Sequence, residues 1–103
     1  MATNVQEIIL VNAEEDYTEV RDVVIEISQD LNISIERSFI EFSRNLTLLL
    51  SASRVLLFVS DKVYGDMIET DLSNLSFEKI FNSDGSLAGP PYFYVSIPAE
   101  NIT

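Results

Sequence analysis

Histidine, cysteine and tryptophan are absent from the 103-residue chain, and glycine and proline occur only three times each. Without cysteine there is no disulfide, no thiolate nucleophile, no Cys-type zinc site and no iron–sulfur cluster. Without histidine the commonest general base, the commonest transition-metal ligand and every Ser-His-Asp triad are excluded. Basic residues are scarce too, six against seventeen acids, for a net charge of −11. So few cations leave little to neutralise phosphates, so direct binding of nucleic acid is not expected, nor is an anionic membrane surface.

Long hydrophobic runs are also missing. The greasiest stretch, Leu46 to Val59, carries Arg54 and three hydroxyl residues and falls short of the roughly 20 apolar residues of a spanning helix. The run Met1 to Glu7 has neither a basic n-region nor an apolar h-region, so no targeting signal is read and a cytoplasmic location is expected.

What is present is apolar material, 47% of residues, enough for one small domain spanning residues 1–103. Charge is unevenly spread. Residues 1–36 carry nine acids and one base, residues 37–62 four bases and two acids, and residues 63–103 six acids and one base.

Val5 to Val11 reads as a strand because Ile8 to Val11 is continuously apolar. Residues 14–31 read as a first helix with Tyr17, Val20, Val24, Ile27 and Leu31 on one stripe. A hairpin of 23–28 with 31–36 is the rival, since Val and Ile favour strands. Ser34 is a candidate N-cap for a second helix reaching Ser51, with Ile35, Phe39, Phe42, Leu46 and Leu49 facing the core. Ser53 to Glu69 is read as a helix, in preference to a strand over 54–60. A short helix is expected over Phe77 to Phe81. A strand is expected over Tyr92 to Ile97, placed at a sheet edge by the flanking Pro91 and Pro98. The fold expected is α+β, with two to three amphipathic helices packed on a short sheet formed by the terminal strands. Two strands are marginal alone, so a homodimer through those strands would complete the sheet.

No phosphate-binding loop, dinucleotide fingerprint or nucleophile elbow occurs. Asp61, Asp66, Glu69 and Asp71 are dense in carboxylate but lack the spacing of a calcium loop, so neither a metal nor another cofactor is expected. Paired carboxylates for glycoside chemistry would need a deep cleft, for which the chain is small. Tyr92, Phe93 and Tyr94 offer an aromatic platform, against the plainer reading of rings packed alternately on an edge strand.

The feature singled out is acidic. Glu15, Glu19, Asp22, Glu26 and Asp30 recur at near-helical spacing opposite the apolar stripe of the first helix. This pattern leads to the expectation of a non-enzymatic acidic protein-binding module, of inhibitor, immunity or decoy type, docking a basic protein surface. The rival is a homo-oligomeric structural or assembly subunit without a ligand. A solvated, purely solubilising face is the plainest alternative.

Overall fold

The computed structural model describes residues 4–63, 65–84, 86 and 88–98. Helix α1 (Val5–Ala13) opens on Asn4, whose side chain accepts the backbone N–H of Gln6 at 2.8 Å. A strand was expected here. An uninterrupted apolar run fits a helix as readily as a strand. Wound as a helix, it buries Ile8, Ile9 and Ala13 and leaves Val11 exposed.

Residues 14–17 form a turn, with Asp16 at a positive φ of 91°, and lead into the two-residue strand β1 (Thr18–Glu19). Helix α2 (Val20–Leu31) follows, so the first expected helix begins six residues later than its periodicity implied. Val20, Val24 and Ile27 are buried as expected, joined by Val23, and the rival hairpin does not form. Asn32 ends α2 in the left-handed conformation, where the Ile33 N–H reaches back to the Ser28 carbonyl.

Helix α3 (Ile35–Ser51) matches its expected limits. Ser34 caps it by accepting the Arg37 N–H, and Phe42, Leu46 and Leu49 are buried. Ser53 adopts a left-handed φ of 57°. The Arg54 N–H bonds the Leu49 carbonyl and the Ser53 N–H that of Leu50, a Schellman arrangement built without glycine.

That reversal overturns the helix expected over Ser53 to Glu69. The chain instead forms β2 (Leu56–Ser60) and β3 (Ile68–Thr70). Gly65, in the loop between them, sits where a Cβ would come within 2.8 Å of Ser60 Oγ and 3.0 Å of Lys62 Cβ. A 3-10 turn over Leu72–Asn74 precedes α4 (Phe77–Ile80). The ring of Phe77 meets Phe39 of α3 edge-on at 5.7 Å and stacks on Phe81 at 5.2 Å.

The last strand, β4 (Tyr92–Ser96), is interior rather than marginal. The sheet is antiparallel, in the order β1-β4-β2-β3. Pro91 and Pro98 lie just outside the strand and cost it no ladder bond. Leu57 pairs with Val95 and Val59 with Phe93, and this face meets the helices. On the other face Phe58 pairs with Tyr94, and Tyr17 meets Phe58 edge-on at 5.0 Å. The result is an α+β fold with helices packed on a small sheet. Four strands from one chain make up that sheet, so it exceeds two strands without a second copy.

Candidate protein-binding surface

The five acids expected on one helix face are split among three elements. Glu15 is exposed in the turn after α1, beside the equally exposed Glu14 and Asp16. Glu19 is the last residue of β1 and stands opposite Tyr94 in the ladder. Only Asp22, Glu26 and Asp30 belong to α2. They recur every fourth residue and so span about 12 Å on one stripe. The period survived in the sequence because a turn and a short strand continued it by coincidence. The run Glu14-Glu15-Asp16 was the sequence signal for an acidic turn.

The local chemistry of these carboxylates differs. Glu19 is half-buried at the N-terminal boundary of α2 and makes no side-chain cap bond. Burial raises its pKa, the Asp22 carboxylate raises it further, and Arg21 opposes both. Asp22 lies in the first turn of α2, where the helix dipole favours an anion, and Arg21 is 3.4 Å away. Glu26 is half-buried and accepts a hydrogen bond from Asn12 Nδ2 of α1 at 3.2 Å. Asp30 is exposed in the last turn, where the dipole disfavours it. Arg21, placed by helical angle at the apolar boundary, is half-buried there, and its Nε finds no acceptor among the described residues.

Among the described residues only two ion pairs form, Arg21 with Asp22 and Arg44 with Glu41 at 3.6 Å. Most carboxylates therefore face water without a neutralising cation, and the −11 charge is expressed as an outward field. Asp61, Asp66, Glu69 and Asp71 are exposed around β2 and β3. Among the described residues no three carboxylates converge to hold a metal ion. Asp84 is held below the usual carboxylate range by the hydroxyl and backbone N–H of Ser86.

The aromatic platform does not form as a continuous surface. Phe93 points into the helix-side core, Tyr94 is fully buried on the opposite face, and Tyr92 is half-buried. Among the described residues no helix is long and apolar enough to cross a membrane. Compared with family models, with curated proteins and with solved structures, the chain matches none of them.

Proposed function

We propose that this chain is a non-enzymatic acidic protein-binding module of the inhibitor, immunity or decoy type, which docks a basic surface of a partner protein in the cytoplasm. The observation that supports it is the shortage of internal counter-charge: two ion pairs among the described residues of a chain carrying −11. A field of one sign speeds encounter with a basic partner and repels acidic ones. The carboxylates free to act are Glu15 and Asp30, with Glu14 and Asp16 beside Glu15, whereas Asp22 is already paired with Arg21. Glu26 ties two helices and Glu19 is half-buried with a stability that depends on pH, so they are poorer choices for testing the contact.

Capture from the source cell's extract at low and at high salt, followed by identification of the bound protein, tests this reading. A basic partner that is retained only at low salt supports it. Replacing Glu14, Glu15 and Asp30 together by lysine, all exposed and at or beyond helix C-termini, should leave the melting curve close to that of the parent and weaken the identified complex about 10-fold or more, chiefly through a slower on-rate. A partner bound equally tightly by the triple variant and at high salt rejects it.

A second reading, assembly with copies of itself, is favoured by the outer face of α3. There Ile40 and Leu48, 55% and 58% exposed, alternate with Arg37 and Arg44. Size-exclusion chromatography decides it: an oligomer that dissociates on Ile40→Asp supports this reading, and a monomer at all concentrations rejects it.

A further inference from the structure

Strand β3 is an open edge. Its inner side pairs with β2 through Val59 with Ile68, Phe58 with Glu69 and Leu57 with Thr70. Among the described residues no strand lies on its outer side. Alternate residues of an edge strand turn their N–H and C=O groups outward, ready to receive another chain.

Edges are commonly protected by charge or by shortness. This one is short and carries Glu69, yet it also presents Ile68, 65% exposed and the most exposed large hydrophobic side chain among the described residues. A strand designed only to stay unpaired would not place its largest apolar side chain in water. Beside Ile68, a recess at the β2–β3 loop is walled by Val59 and Ile68 and carries the Asp61 and Asp66 carboxylates. Lys62 is also in its lining, so the recess keeps a net negative charge. Apolar walls with carboxylates suit a side chain that has an apolar stem and a cationic head. Asp66, Glu69 and Asp71, all exposed, run along the same edge.

A second copy of this chain fits poorly. Antiparallel self-pairing about the strand centre sets Glu69 opposite Glu69 of the copy, and like charges directly across a ladder are destabilising. The edge thus rejects its own copy and favours a strand of opposite charge.

We propose that the outer edge of β3 takes a short extended basic segment of the partner protein as a fifth strand. An apolar residue of that segment lies beside Ile68, a lysine or arginine lies beside Glu69 on the other face, and a cation at the segment's end, beyond the paired residues, reaches the recess at Asp61 and Asp66. This rests on the acidic-module reading and adds to it a second point of contact, distinct from the carboxylates Glu15, Asp22 and Asp30, together with its mode of docking.

The probe is a capped synthetic peptide, Lys-Val-Lys-Val-Lys, added to the full chain and followed by amide chemical shifts and hydrogen exchange. Slowed exchange or shift changes confined to residues 66–71 are expected. Methylating alternate peptide nitrogens, which keeps charge and side chains but removes backbone donors, should abolish binding. Glu69→Lys, at an exposed position, should weaken it about 10-fold or more, a change of about 1.4 kcal/mol or greater. If the methylated peptide binds as well as the parent peptide, strand addition is overturned while attraction of a basic partner stands. Shift changes that gather at Glu15, Asp22 and Asp30 instead overturn the location but keep the acidic-module reading. No binding at millimolar peptide overturns the inference. The broader reading then stands or falls on whether the captured partner's complex responds to salt.

Discussion

Asn12 and Glu26 link the first two helices: the Asn12 amide donates to the Glu26 carboxylate at 3.2 Å and to its own helix's Ile8 carbonyl at 2.8 Å. Glu26 is thereby a tie between α1 and α2, although its spacing marks it as one more surface acid.

The tie makes Glu26 unequal to its neighbours on the stripe. Glu26→Lys should destabilise the domain by about 1.5–3 kcal/mol, the range of a lost hydrogen bond to a charged group. Asp30→Lys should be neutral or mildly stabilising, because a cation suits a helix C-terminus. Urea denaturation of Glu26→Lys, Asn12→Ala and the double variant measures the coupling. Strictly additive losses would show that the two residues act independently.

The helical identity of residues 5–13 gives a contrast between two apolar positions two residues apart. Ile9 is fully buried, whereas Val11 is 54% exposed. Ile9→Asp should cost several kcal/mol, enough to unfold a domain of ordinary stability, and Val24→Asp in α2 should do the same. Val11→Asp should leave the circular dichroism melt nearly unchanged. In a strand covered on both faces, both α1 substitutions would be destructive.

Glu19 gives a pH dependence of opposite sign to most structural carboxylates. Its pKa is raised in the folded state, so between the unfolded and folded values the native chain holds the extra proton. Its contribution to stability is present below the unfolded value of about 4.5 and is lost as pH rises through the folded one. Glu19→Gln should therefore gain stability over the parent at pH 7 and lose that advantage near pH 4. Denaturation midpoints of the two proteins across that range check it, and a constant difference at all pH values would remove Glu19 as the source.

Legibility in the sequence followed the strength of local signals. Helix α3 was readable to the residue because a Ser34 cap and a five-member apolar stripe agree. The end of α2 at Asn32 was less marked. After α3, Ser53 rather than glycine takes the left-handed position, so no residue type tipped the balance toward the strand weighed over 54–60 and against the helix. Helix α1 was misread because four apolar residues in a row have no period. The prolines flanking β4 suggested an edge, although proline at a strand's outer ends is compatible with an interior place. In the acidic surface, the carboxylates were legible but not their elements. Periodicity cannot reveal that Glu15 lies in a turn and Glu19 in a ladder, or that Glu26 meets an amide from another helix.

The placement of β4 between β1 and β2 has a consequence for how the protein is made. Residue 18 finds its ladder partner only at residue 95. On a ribosome, α1, α2 and α3 emerge with their mutual contacts available, but the sheet side of α1 and α2 stays uncovered until the final strand is released. Closing so distant a contact is slow relative to helix formation. The nascent chain therefore passes through a stage in which a helical cluster exposes the face that β4 later covers, and its strong negative charge keeps such chains apart.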